Sequence, residues 1–485
     1  MERTFDGTDD SELKLRGRQL LTALGPLLGV FLVGLSSGYS AVLLPQLKSS
    51  GSSNERNSSS ENASTIMAPS TEEVSWIAAS AVLPTAPGCW LAGLMIEKLG
   101  RKKSTMLAYP LFLVGWAMIG FAPGIACLLV GRMMCGLCCG TLGAVAPVYI
   151  GETSSPGLRG ILLNMIILTL SFGILAVHAL GTWLHWRTTA YVCIAFAVVS
   201  SLICIASTES PIWLINKGRT DQARAAWLYL RGWKSLDEYR ALENSKIQGR
   251  RLEKRSMCSK LRKTLTSRYF LWPLGLLCLF FFTAQFSGYN VVIYYSVDLL
   301  MEVTAPENAH VGTLVLDVVR LVTSIVTCYL MKKRDRRTMS LVSGFGSAAA
   351  MFLLSLSRFL RVGTPWFPVI SLLLYVVFST MGLLPLPWML TGELFPRKFK
   401  GLGAGLASGF AFICNFAVVK IAPGMFASLQ QQGTFAIYGV VALLGTCILY
   451  LTLPETKDKT LQEIERSFDK KTKDNLTNSN TRVGH

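Results

Sequence analysis

Two ionisable residues interrupt an otherwise apolar block: Asp317 and Arg320, in LDVVRL. Three positions apart on a helix, a carboxylate and a guanidinium share one face and can pair. Inside a membrane span an ionisable side chain is a functional candidate by default. Either the pair neutralises itself in an aqueous lumen, or Arg320 offers its planar fork of donors to an anionic, carboxylate-bearing solute. A second cluster, Cys135, Cys138 and Cys139, has the superficial spacing of a metal site. No His, Asp or further Cys pair accompanies it, and cysteine in a buried helix behaves as a small hydrophobe, so no metal is expected. No nucleophile–base or cofactor-binding constellation occurs, which argues against an enzyme and against a cofactor.

The elements that must position such residues are apolar. Of the 485 residues, 51% are hydrophobic and 16% charged. The apolar residues run in blocks of about 20 or more rather than at amphipathic spacing, the pattern of membrane spans. An all-α membrane protein with twelve transmembrane helices is expected, with the lipid bilayer as one partner and the oligomeric state open. The net charge of +18 does not indicate nucleic acid, because Lys and Arg form short clusters between apolar blocks with no aromatic-interleaved basic face. Most of the 47 Lys and Arg fall in loops on one side, which the positive-inside rule makes cytoplasmic together with both termini. The first 19 residues are polar and the next block is long enough to span, so no cleavable signal peptide is expected. Loop 47–73 then lies outside, and its sequons at Asn57 and Asn62 are candidate glycosylation sites, whereas the Asn475 sequon is cytoplasmic and silent.

The expected organisation is an N-terminal tail (1–19), six spans (20–206), a polar, basic linker (207–269), six more spans (270–453) and a C-terminal tail (454–485). Within the linker, Asp221 to Leu230 reads as a helix and Arg231-Gly232 as a turn. Cytoplasmic motifs repeat in order about 240 residues apart. Glu97-Lys-Leu-Gly-Arg-Lys-Lys103 after span two is echoed by Lys332-Lys-Arg-Asp-Arg-Arg337 after span eight. Gly151-Glu152, followed at fixed distance by Arg159-Gly160, matches Gly392-Glu393 and Lys400-Gly401. Glu209-Ser-Pro closes one half and Pro454-Glu-Thr the other. Parallel repeats of six spans are a transporter layout with the solute bound near the membrane midplane. One stretch, PLPWMLTGELFPRKFKG at 385–401, carries both a helix break and an exit charge. Pro385 and Pro387 remove backbone donors, which lipid tolerates only where neighbouring helices or a water-lined cavity re-satisfy the freed groups.

Taken together, GRKK at 100–103, PVYIGE with Arg159-Gly160, ESP at 209–211, QFSGYN at 285–290, PLPW with GELF and PETKDKT at 454–460 resemble the sugar-porter family of the major facilitator superfamily, and within it the facilitated trehalose transporters of insects. The resemblance covers nearly all of residues 20–465. It implies facilitative, alternating-access transport of a small solute, a trehalose- or hexose-like sugar, across the plasma membrane. It also implies that Glu97, Arg101, Lys102, Glu152, Arg159 and Glu209 on one half, and Arg336, Arg337, Glu393, Lys400 and Glu455 on the other, form cytoplasmic charge networks that bias gating, with Pro385 and Pro387 as the flexible part of a gating helix. Exposed pairs are each worth ~0–1 kcal/mol, so such a network biases an equilibrium rather than locking it. Lys332 and Asp335 depart from the family pattern, and a weaker network is expected on the C-terminal half.

The same resemblance implies that Gln285, Asn290, Trp388 and Asn415 contact the sugar, since a pyranose needs amides and an aromatic face. Other family ligands are missing: Ile167, Ala284 and Ala411 stand where amides are usual, and Phe412 replaces tryptophan. Arg320 occupies another usual amide position. Lys420 and His178 read as interfacial. Proton-coupled members carry an acid where this chain has Ser40, so uniport is expected. Two alternatives stay open: a carrier of an organic anion through Arg320, and a non-transporting nutrient sensor with an eroded site.

Overall fold

The structure, a computed structural model, describes residues 12–54, 69–253, 268–302, 306–360, 366–395 and 400–455. The sequons at Asn57, Asn62 and Asn475 lie outside the described residues. Among the described residues the chain is helical with no strand, as expected where backbone groups have only the protein to bond to. The spans are Glu12–Asn54, a two-piece span two (Thr71–Ser80 and Thr85–Leu99), Arg101–Gly120, Ile125–Thr153, Pro156–Trp183 and Trp186–Ala206. Span seven is Arg268–Phe286 continued by Tyr289–Tyr294 and Ser296–Met301, and spans eight and nine are Pro306–Lys333 and Arg336–Phe359. Span ten is Trp366–Phe378 and Pro385–Glu393 around an irregular segment. Spans eleven and twelve run as one helical stretch, Lys400–Thr452, interrupted at Gln430 where φ is 57°. Twelve spans result.

The chain divides into two compact units, residues 1–68 with 80–257, and 69–79 with 258–485. In the first, spans one and five approach at glycine, so that a Cβ on Gly34 would lie 2.4 Å from the Leu170 carbonyl oxygen and one on Gly173 2.4 Å from that of Phe31. Small residues let membrane helices pack backbone to backbone. The linker belongs to this unit. Its helices Pro211–Asn216, Thr220–Arg231 and Leu236–Glu253 bury Trp213, Leu214, Ala223, Trp227 and Tyr239 in a small core of their own. The turn expected at Gly232 is present, with φ 72°.

The second unit is built on an apolar core of Leu277, Phe280 and Phe281 from span seven, Leu386, Leu390 and Phe395 from span ten, and Ala407 and Ala411 from span eleven. Two of its helices are broken. Span seven stops at Ser287-Gly288, and Gly288 has φ +93° with Tyr438 so close that a Cβ would sit 2.6 Å from that ring. Only glycine takes this conformation and this approach together. Span ten breaks ahead of its prolines rather than at them: Ser379–Leu383 forms a π-helical segment, and Pro385 begins the next helix, where its missing N–H costs nothing.

Ser343 of span nine, fully buried, stitches this break. Its Oγ donates to the Phe378 carbonyl at 2.6 Å and accepts from the Leu383 N–H at 2.6 Å. Ser343→Ala strands two buried backbone groups, each worth ~1–3 kcal/mol unpaired. A lower melting midpoint of the purified protein is expected for Ser343→Ala, with no such fall for Ser428→Ala, an exposed serine bonded only to the Gly424 carbonyl of its own helix.

Candidate functional site

The repeated charges are built alike in each unit. Glu209 accepts from the backbone N–H of Arg101 at 2.8 Å and of Lys102 at 3.2 Å. Glu455 accepts from the N–H of Arg336 at 3.1 Å and of Arg337 at 3.0 Å. In each case a carboxylate closes the N-terminus of a span, where unpaired N–H groups and the helix dipole favour an anion. Gly100 leaves the space: its φ is +97°, and a Cβ there would meet the Glu209 carboxylate at 2.5 Å.

The basic side chains repeat as well. Arg101 donates to the Ile96 carbonyl at 3.1 Å and Arg336 to that of Met331 at 2.7 Å, each closing the end of the preceding helix. Lys102 reaches the Ile205 carbonyl at 2.8 Å, and Arg337 that of Tyr450 at 2.6 Å. These contacts recur in the second repeat at distances similar to those of the first.

In the first unit Arg101 also pairs with Glu152 at 2.6 Å, and the other Glu152 oxygen accepts from Ser210 at 2.5 Å. Arg159 donates to the Ser154 carbonyl at 3.3 Å instead of joining Glu152. The Glu97 side chain is exposed, and its carbonyl takes the Trp213 indole N–H at 3.0 Å. The side chains of Glu393 and Lys400 lie outside the described residues.

Gln19, which sequence reasoning missed, joins three elements: its amide nitrogen donates to the Leu230 carbonyl at 2.9 Å and its oxygen accepts from the Ser155 N–H at 2.9 Å. Beside it Arg231 donates to the Ser154 carbonyl at 2.8 Å and pairs with Glu238 at 2.8 Å. Burial pulls the Arg231 pKa below its usual value, against the opposing pull of Glu238.

The uncharged candidates lie in the second unit. Trp388, 37% exposed, stands between Phe281, ring centroids 4.8 Å apart and edge-on, and Phe412 at 5.6 Å. The phenylalanine that replaces the usual tryptophan is thus part of the aromatic wall. One turn along span eleven from Phe412, the Asn415 amide oxygen is buried without a hydrogen-bond partner. Gln285 and Asn290 are brought together by the span-seven break, the Asn290 amide donating to the Gln285 oxygen. The break is held from span ten, where the Tyr375 hydroxyl donates to the Ser287 carbonyl at 3.0 Å. Ala284 and Ala411, the positions that lost amides, are buried in the apolar core.

Asp317 and Arg320 are each 1% exposed and directly paired, with the guanidinium 5.8 Å from the Tyr289 ring centroid. The pair forms as the spacing indicates, but it is enclosed by protein, with one arm of the guanidinium on the carboxylate. His178 and Lys420 both have partners within the chain. His178 is buried with Nε2 2.9 Å from the Gly38 carbonyl oxygen, and Lys420 bonds Ser75 at 2.5 Å. In span one Ser40 accepts from Arg132 at 2.5 Å, both buried. Cys135, Cys138 and Cys139 are buried free thiols in span four, and among the described residues no group of three metal-ligating side chains converges.

A family profile described as "Sugar (and other) transporter" matches residues 22–468. Facilitated trehalose transporter Tret1 of Culex quinquefasciatus is 30% identical over 460 residues, 93% of this chain and 86% of the relative. Tret1 of Apis mellifera ligustica is 28% identical, covering 93% and 88%. At 29% identity, the chain spans 56% of the length of Tret1 from Anopheles gambiae. Among solved structures, the inward open conformation of the xylose transporter XylE from E. coli superposes with a TM-score of 0.76 at 20% identity, over 93% of this chain and 99% of the other. XylE bound to 6-bromo-6-deoxy-D-glucose gives 0.72 at 20% identity, over 94% and 99%. Ten helices long and apolar enough to cross a membrane among the described residues, paired acid-capped repeats and a profile match over residues 22–468 make this a multi-pass membrane protein of the sugar (and other) transporter family, with the twelve-helix major facilitator fold.

Proposed function

We propose that the protein is a facilitative, alternating-access carrier of a trehalose- or hexose-like sugar in the plasma membrane, and that Trp388, Asn415, Gln285 and Asn290 contact the sugar. The observation that carries this reading is the half-exposed Trp388 packed on Phe412, one helical turn before a buried Asn415 oxygen that accepts no hydrogen bond. An indole face suits the apolar side of a pyranose, and a sugar hydroxyl is the donor that the amide oxygen lacks. The names of the Tret1 relatives support trehalose as the first substrate to try.

The Asp317–Arg320 pair has a positioning role in this proposal. It neutralises itself and places Arg320 against Tyr289, the neighbour of Asn290. Uniport follows from Ser40, a side chain that does not titrate near neutral pH, bonded to Arg132. The cytoplasmic networks around Glu152, Glu209 and Glu455 bias the carrier between its conformations, with Glu393 and Lys400 as further members. The closure of Ala284 and Ala411 into the core favours one competing reading, a sensor that binds sugar without moving it.

Uptake of labelled trehalose, glucose, polyols and carboxylates into transport-null cells tests the proposal. A sugar is expected to accumulate to equilibrium. Trp388→Ala and Asn415→Leu are expected to raise KM by about tenfold, the equivalent of one lost contact of ~1.4 kcal/mol. Ligand-induced thermal stabilisation without uptake would favour the sensor. Discharging the proton gradient is expected to leave initial uptake rates unchanged, and alkalinisation outside the cell on adding sugar contradicts uniport. Arg320→Gln removes the cationic partner of a buried carboxylate, a loss of ~3–5 kcal/mol, so surface expression is expected to fall and to recover with Asp317→Asn added. Normal expression with selective loss of carboxylate uptake would support the anion carrier.

A further inference from the structure

Residues 69–79, nearly all of the first piece of span two, are part of the second unit. This arm, Thr71–Ser80, starts as an independent helix. The Ser70 N–H donates to the Glu73 carboxylate at 2.8 Å and the Glu73 N–H to the Ser70 hydroxyl at 3.2 Å, a reciprocal capping box. It ends at a turn over 81–84 that contains Pro84, after which the span resumes at Thr85. An arm with its own cap and a turn at its base can move as a rigid piece.

Lys420 holds it. The ammonium donates to the Ser75 hydroxyl at 2.5 Å and lies 4.5 Å from the centroid of the Trp76 ring. Trp76 in turn packs on Phe416, ring centroids 6.3 Å apart. A lysine near the end of a membrane span ordinarily stretches its amine to the interface. Here the amine turns onto an indole, the aromatic face that attracts a cation best. Helical spacing puts Phe412, Asn415, Phe416 and Lys420 on one side of span eleven, and Phe412 touches Trp388. The arm therefore covers that side of span eleven one turn from Asn415, towards the end away from Lys400. On the same stretch the Tyr295 hydroxyl donates to the Val419 carbonyl at 3.3 Å.

We propose that residues 69–80 are an outer gate over the Trp388–Asn415 site. The gate is shut while Lys420 is seated between the Ser75 hydroxyl and the Trp76 ring, and opens by swinging the arm on the turn at 81–84. The inference rests on the sugar-site reading for the site's cargo, but access to Asn415 can be measured without any sugar. The reporter is Asn415→Cys, labelled in intact cells by a membrane-impermeant, charged methanethiosulfonate, with the unsubstituted protein as background. Adding Lys420→Gln or Trp76→Ala removes the cation or the ring, and each is expected to raise the labelling rate about fivefold or more. Ser75→Ala removes only a hydroxyl and is expected to give a smaller rise.

Rates unchanged in Lys420→Gln and Trp76→Ala, at matched surface amounts, overturn the gate. Should either fail to reach the surface, Ser75→Ala decides: a rise supports the gate and an unchanged rate overturns it. Sugar uptake is read separately in the protein that retains Asn415: faster labelling with no uptake there supports the gate while removing the sugar reading. Unchanged labelling with normal uptake there does the reverse.

Discussion

A backbone N–H or C=O in hydrocarbon must find its partner inside the protein, because no water is there to supply one. Every irregularity in these spans is organised by that constraint. Where span ten breaks at Ser379–Leu383, Ser343 of span nine supplies both an acceptor and a donor. Where span seven breaks at Ser287-Gly288, Tyr375 supplies a donor. The two breaks share supports within one unit, and the candidate ligands cluster beside them: Gln285 and Asn290 flank the first, and Trp388 follows the second. A straight helix would have kept Gln285 and Asn290 five residues apart along the axis and on different faces. The break brings their amides into contact.

The same constraint shapes the helix ends at the repeated motifs. A span that starts at the membrane surface exposes its first N–H groups, and in both repeats an acid from the end of the half closes them, Glu209 on Arg101 and Lys102, Glu455 on Arg336 and Arg337. Arg101 and Arg336 meanwhile close the preceding helix by reaching back to its last carbonyls. The signature charges thus hold helix ends before they do anything between conformations. Because they bond backbone as well as one another, a loss of one charge disturbs a helix terminus, and a transport defect in such a variant needs a stability measurement beside it.

The candidate site departs from a fully amide-lined lumen in a coherent way. Ala284 and Ala411 are absorbed into the apolar core with Phe281 and Leu390, so the lost amides leave packed hydrocarbon and not an unsatisfied cavity wall. What remains is more aromatic than polar, Trp388 between Phe281 and Phe412. In the proposed site, such a wall offers an apolar face more than a full set of hydroxyl contacts, and fewer directed hydrogen bonds give less discrimination among sugars.

Apolar block length and the sidedness of Lys and Arg determined the membrane class, the span count and the repeat, because these follow from bilayer thickness and from one-dimensional order along the chain. Motif spacing likewise named Glu152, Glu209 and Glu455, and the three-residue separation of Asp317 and Arg320 was enough to pair them, since neighbours on one helix face meet in any fold. Tertiary structure decided the rest. Pro385 and Pro387 marked span ten as broken, but the break sits at Ser379–Leu383, where a serine from another helix can serve it. Gln19 carried no signal, because a lone amide becomes a joint only when Ser155 and Leu230 are brought to it. Lys420 looked interfacial for the same reason: its partners, Ser75 and Trp76, lie some 345 residues away in the chain, and no local pattern can announce a contact that only folding creates.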